Sequence, residues 1–149
     1  MSTAVNDRCS IARSLEILGQ KWSLLIVREA FFGRTRFSEF RERLGVAPDV
    51  LTDRLARLVD AGILDRRSYR EDGARERHEY VLTEAGHGLR PVLAALAEWG
   101  DEHRPTGYGP AVRHVETATG NPVHVAFLSS DGRPVPDAEV SAVRGPGAL

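Results

Sequence analysis

Arginine is the residue type with the most evident chemistry in this chain. There are 20 Lys and Arg residues, and Lys21 is the single lysine among them. The planar fork of Arg bonds phosphates and guanine edges in pairs, which an ammonium cannot do. The formal net charge is −1, so no bulk polycation is available and a polyanion would have to be met by local placement of charge. From Arg34 to Arg77 there are 11 Arg against 9 acids, which makes the middle of the chain the natural polyanion surface. Arg66, Arg67, Arg70, Arg75 and Arg77 gather around Asp72-Gly73, a hairpin turn signal. Arg54 and Arg57 lie in a stretch of helical period, with Leu51, Leu55, Leu58 and Val59 on one face. Asp49, Val50, Asp53 and Arg57 then point outward, with Arg54 on the flank and Thr52 at the edge. Arg54 and Arg57 suit guanine or phosphate, and Thr52 suits either kind of group. Asp49 and Asp53 suit cytosine amino groups or repel misplaced phosphates. The same pattern equally describes a solvated face on which Arg54 or Arg57 pairs with Asp53 or Asp60. Arg34 and Arg36 precede Ser38, which reads as a helix cap whose free amides suit a phosphate.

Other chemistries are poorly represented. The single cysteine, Cys9, excludes an internal disulfide and a cysteine-cluster zinc site within one chain, and makes the cytoplasm the default compartment. His78, His87, His103, His114 and His124 show no zinc-ligand spacing with a matching partner, so no metal and no cofactor is expected. There is no Gly-rich phosphate loop, no nucleophile elbow and no paired carboxylates in a convincing setting, so the chain does not read as an enzyme. No apolar run is long enough to span a membrane, and Met1 to Cys9 has no apolar core of a secretory signal.

These residues need a scaffold, and 149 residues with 42% hydrophobic and 28% charged suit one globular domain with an appendage. Ser10 to Leu18 reads as a short helix with Ser10 as cap, and Lys21 to Phe32 as a central, buried helix. Arg34 to Phe37 reads as an edge strand and Ser38 to Leu44 as a helix. Gly45-Val46-Ala47 is a tight turn before a helix from Pro48 to Ala61, with Pro48 in its first turn. Gly62 ends that helix. Ile63 to Tyr69 and Arg75 to Leu82 read as strands joined at Arg70 to Ala74. Thr83 caps a long helix reaching His103, bent or broken at Pro91. From Pro105 onward six of the 8 prolines occur. There Val112 to Glu116, Val123 to Leu128 and Glu139 to Val143 read as short strands, with a turn at Ser129 to Gly132. Thr119-Gly120 and Asp131-Gly132 have the rhythm of a zinc ribbon without its cysteines. The fold class is therefore mainly α with a β wing: a winged helix–turn–helix in residues 1–104 and a small β appendage in residues 105–149.

Cys9, "LEILGQKWSLLIV" (Leu15 to Val27), "RFSEFRERL" (Arg36 to Leu44), "LTDRLARLVDAGILDRR" (Leu51 to Arg67) and "HEYVLTEAGHGLRPVLAALAEWG" (His78 to Gly100) occur in order. Together they resemble the HxlR-type transcriptional regulators, winged-helix DNA-binding proteins related to the MarR group. The resemblance covers about residues 8–104. It implies a homodimer joined by the first and last helices, here Ile11, Leu15 and Leu18 with Leu89, Leu93, Leu96 and Trp99. It places double-stranded DNA against Arg36, Ser38, Pro48, Asp49, Val50, Thr52, Asp53, Arg54 and Arg57, and against the hairpin with Arg70, Arg75 and Arg77. Two-fold symmetry then implies a pseudo-palindromic operator. Some such proteins sense oxidants or electrophiles through a cysteine before the first helix, the position of Cys9. A helix N-terminus with Arg8 and Arg13 nearby favours the thiolate. A small apolar residue at the interface is the alternative role for Cys9.

Two functions compete. One is a sequence-specific regulator, a repressor by promoter occlusion. The other is a ligand-binding or protein-interaction module on a winged-helix scaffold with weakened DNA binding. Trp22, Phe31, Phe32 or Trp99 would line an effector pocket, or simply fill the core.

Overall fold

A buried helix, α2, organises the chain as far as Leu89. The structure is a computed structural model that describes residues 7–148. The element order begins with α1 (Ser10–Leu18), α2 (Lys21–Phe31), α3 (Phe37–Leu44) and α4 (Pro48–Asp60). The hairpin β1 (Leu64–Tyr69) and β2 (Arg77–Leu82) follows, then α5 (Glu84–His87) and α6 (Arg90–His103). The chain divides into two compact units, one up to Leu89 and one spanning Arg90–Pro146.

In the first unit α2 touches α1, α3, α4 and β2. Ile26 and Val27 of α2, Phe40 of α3, Leu51, Leu55 and Leu58 of α4 and Leu64 of β1 are its buried core. The apolar stripe expected on α4 is thus the buried one, except that Val59 is half-buried. Ala47 is the N-cap of α4 and Pro48 opens it, where a missing N–H costs nothing. The helix ends in a Schellman pair. Ile63 N–H bonds the Leu58 carbonyl and Gly62 N–H the Val59 carbonyl, each at 2.9 Å, with Gly62 at φ +74°. That left-handed residue turns the chain straight into β1. The strands pair antiparallel from Leu64–Leu82 to Tyr69–Arg77.

Several boundaries differ from expectation. Cys9, not Ser10, is the N-cap of α1, and Arg36, not Ser38, is the N-cap of α3. The edge strand at Arg34 to Phe37 shrinks to one bridge, Arg36 to Glu79, supported by Tyr80 N–H on the Thr35 carbonyl at 2.7 Å. The return strand starts at Arg77 rather than Arg75, so the wing loop is longer than a tight hairpin. The helix from Thr83 breaks, as Pro91 led one to expect, but at Gly88–Leu89, ahead of the proline. Thr83 does cap α5, its hydroxyl accepting from Gly86 N–H at 3.1 Å and donating to the Gly62 carbonyl at 2.5 Å. Gly88 is a poor helix former, and Pro91 cannot donate to the His87 carbonyl, so α6 restarts with Pro91 in its first turn.

The second unit is α6 with the extension. β3 (Phe127–Leu128) pairs with β4 (Pro134–Val135) around the expected turn, where Ser129 N–H bonds the Arg133 carbonyl at 2.8 Å. Residues Val112 to Glu116 reduce to a single bridge, Val115 to Pro122. Glu139 to Val143 is not a strand; Asp137–Glu139 is a short 3₁₀ turn. Prolines remove the donors a longer ladder would need. The extension is tied to α6 by Glu98, whose carboxylate accepts from the Val125 amide at 3.0 Å. Among the described residues no helix is long and apolar enough to cross a membrane.

Candidate nucleic-acid interface

The helix–turn–helix is α3, a turn at Gly45 (φ +62°) and α4. Burial of Leu51, Leu55 and Leu58 forces the opposite side of α4 into solvent. Asp49, Thr52, Asp53 and Arg57 are exposed there, and Pro48 is exposed and Val50 half-buried at the helix start. Thr52 Oγ1 donates back to the Pro48 carbonyl at 2.8 Å, which leaves its lone pairs and methyl for a ligand.

The arginines of this region differ sharply in how they are held. Arg57 is 64% exposed and its Nε donates to Asp53 Oδ2 at 3.0 Å. Arg54 is only 16% exposed. It donates to the same Asp53 oxygen and to Gln20 Oε1, so it is braced against the start of α2. The pairing weighed from the sequence, Arg54 and Arg57 with Asp53, is therefore present. Arg36 lies with its guanidinium 4.5 Å from the Tyr69 ring centre and 3.0 Å from Glu71, so it is fastened to the wing. By contrast, Arg70, Arg75 and Arg77 are exposed and make no ion pair among the described residues. Arg66 and Arg67 are exposed on β1.

A carboxylate sits just ahead of the first turn of α3. Glu39 Oε2 accepts from the Thr35 and Arg36 amides at 2.9 Å each. The Arg36 amide, then the Thr35 amide, holds the Glu39 carboxyl below the usual carboxylate range. Ser38 lies in the first turn of α3 without capping it. Sequence reasoning missed the residues that hold the arginines: Gln20, Tyr69 and Glu71, as well as Glu39. Only Glu39 had a local signal, an acid at the third helical position.

The residues expected at a dimer interface differ in exposure. On α1, Ile11 is 72% exposed, Leu15 is exposed and Leu18 is half-buried. Leu89, between α5 and α6, is half-buried, and so is Leu93 on α6. Leu96 and Trp99 of α6 are exposed, with Arg104 5.7 Å from the Trp99 ring centre. Cys9 is a half-buried free thiol at the N-cap of α1. Among the described residues no three His, Cys, Asp or Glu gather to hold a metal. A cavity of about 180 Å³ is lined by Ala30, Thr35, Tyr80 and His87, and one of about 300 Å³ by Ala97, Glu98, Val115 and Val123. Trp22, Phe31, Phe32 and Trp99, the expected pocket residues, line neither.

Comparison with known proteins agrees with this geometry. Residues 17–108 match the HxlR-like helix-turn-helix family. The HTH-type transcriptional regulator Rv3095 of Mycobacterium tuberculosis is 46% identical over 104 residues, 70% of this chain and 65% of that protein. The aligned segment therefore spans just under two thirds of that relative's length. PA1607, a candidate transcription factor of solved structure, is 36% identical with a TM-score of 0.79, covering 92% of this chain and 95% of its own. That span takes in most of residues 105–149. The redox regulator HypR in its oxidised form is 31% identical with a TM-score of 0.58, covering 66% of this chain and 100% of its own.

Proposed function

The chain belongs to the HxlR-like helix-turn-helix family, and from that premise we propose that it is a sequence-specific DNA-binding regulator of transcription, a homodimeric repressor of a pseudo-palindromic operator. Its relatives are named as transcriptional regulators, not as enzymes. The observation that carries the proposal is the exposed face of α4 beside an arginine-rich wing. In this reading α4 enters the major groove with Asp49, Val50, Thr52, Asp53 and Arg57, and Pro48 abuts the backbone. Arg70, Arg75 and Arg77, free of internal ion pairs among the described residues, bind phosphates. Arg36 and Ser38 meet the backbone beside α3, with Arg36 exchanging Glu71 for a phosphate. Arg54, largely buried, supports the face from its flank.

Residues 1–104 form the DNA-binding and dimerisation part, and residues 105–149 an extension. Ile11, Leu15 and Leu18 together with Leu89, Leu93, Leu96 and Trp99 supply the dimer contact. The exposure of Ile11, Leu15, Leu96 and Trp99 supports this, because large apolar side chains in contiguous stripes mark interaction surfaces. Cys9 is the candidate contact for an oxidant or electrophile effector, supported by its place at a helix N-terminus and by the likeness to a redox regulator.

A second reading has one observation in its favour. The outward side of α4 carries Asp49, Asp53 and Asp60, which oppose a polyanion and suit an interaction module with weakened DNA binding. Footprinting the protein on the DNA upstream of its own gene, with and without a thiol oxidant, tests both. A protected pseudo-palindrome with steep inverse salt dependence supports the regulator, and release on oxidation supports Cys9 as the sensor. Absence of protection there, together with no enrichment from a genome-wide pool, supports the interaction module.

A further inference from the structure

We propose that Asp53 is a positioning residue that makes Arg57 a reader of base edges rather than a clamp on phosphates. This rests on α4 being the helix that enters DNA. Arg57 is the exposed cation on a face whose other exposed members are Asp49, Thr52, Asp53, Ala56 and Asp60. Asp53, one turn earlier, takes the Nε hydrogen of Arg57. A guanidinium bound through Nε keeps both terminal amines free, and a pair of terminal donors is what O6 and N7 of guanine accept. The carboxylate therefore aims the fork outward before DNA arrives, which cuts the side-chain ordering needed on contact.

Its charge does a second thing. A phosphate approaching the same guanidinium must also approach Asp53, whereas a base edge in the groove floor carries no net charge. Asp53 is itself held. Arg54 donates to the same carboxylate oxygen and is anchored to Gln20 at the N-cap of α2. The chain Gln20, Arg54, Asp53, Arg57 thus runs from the buried helix to the outward fork. An exposed ion pair one helical turn apart adds almost nothing to fold stability, so orientation and discrimination are what the arrangement supplies.

The test uses the full chain and two probes: the duplex that the parent protein selects from a randomised pool, and a scrambled version of it. Asp53→Ala should weaken binding to the selected duplex and tighten binding to the scrambled one, so that the ratio of affinities falls roughly tenfold. Asp53→Asn, which keeps an acceptor oxygen, should recover part of that ratio. In an Arg57→Ala background, Asp53→Ala should change the ratio no further. An unchanged ratio in Asp53→Ala overturns the proposal. An equal fall with and without Arg57 also overturns it, because Asp53 would then act on DNA directly. A parallel loss on both duplexes with a lowered unfolding midpoint would show a structural role instead. If the parent binds no duplex even at low salt, the DNA-binding reading itself fails, and this proposal with it.

Discussion

Replacing Glu39 should loosen the corner where α3 begins. Its carboxylate accepts from two backbone amides, Thr35 and Arg36, at 2.9 Å each, and so serves the N-cap donor that a helix start leaves unpaired together with the amide before it. Loss of a capping side chain typically costs about 0.5–2 kcal/mol. Two amides argue for the upper part of that range, and solvent screening at the surface argues for the lower, so Glu39→Ala should cost about 1 kcal/mol. For a chain of this size that lowers the unfolding midpoint by roughly 2–4 °C. The cost should depend on pH. The folded carboxyl titrates below its unfolded counterpart, which for a free Glu side chain is about 4.3. The ionised cap therefore stabilises the fold fully above that value, and its contribution is lost as pH falls through the folded pKa. Denaturant unfolding of parent, Glu39→Ala and Glu39→Gln at pH 7 and at steps down to pH 3 measures it. The gap between parent and Glu39→Ala should narrow on acidification. A gap that is absent at pH 7, or constant down to pH 3, would refute the ionised cap.

Other sites carry expectations of their own. Gly86→Ala would put a Cβ 2.3 Å from the Ile63 carbonyl oxygen, so thermal unfolding should show a loss of about 1–3 kcal/mol, whereas Gly100→Ala, with open space around it in α6, should be neutral or gain about 0.5–1 kcal/mol. Leu96→Glu, on the exposed apolar face of α6, should give monomers in sedimentation velocity; an unchanged dimer would remove this face from the interface. Arg70→Ala with Arg75→Ala should reduce the slope of log K against log salt by about 0.9 for each phosphate that is no longer neutralised, and an unchanged slope would take the wing off the DNA. Cys9→Ser should abolish any release of DNA by oxidant; a persisting response would exclude Cys9 from it.

Much of the scaffold was legible in the residues because periodicity is a local property. The spacing of Leu51, Leu55 and Leu58 placed α4 and its outward face, and the structure buries those three residues. Pro48, Gly62 and Thr83 marked ends correctly because each acts through its own backbone conformation or hydroxyl. Caps at Ser10 and Ser38 were misread because a nearby hydroxyl competes with other ways of starting a helix. At α3 the winner was Glu39, reaching back to amides exposed by the Thr35–Tyr80 crossing. The strand expected at Glu139 to Val143 had β-prone residues but no partner strand among the described residues, and strands need pairing that local sequence does not encode.

The sequence by itself determined the helices α1 to α4, the wing and which of their faces are apolar, since helix period, glycine turns and proline stops operate over a few residues. The tertiary structure alone decided the state of each arginine. Arg54 and Arg57 are neighbours on one helix and chemically identical, yet one is braced against Gln20 and the other stands in solvent. Arg36 and Arg70 both precede or border the wing, yet only Arg36 meets Tyr69 and Glu71. The physical reason is reach. A guanidinium finds its partner across folded elements, over sequence separations such as the 34 residues between Gln20 and Arg54, and no local pattern sets that distance.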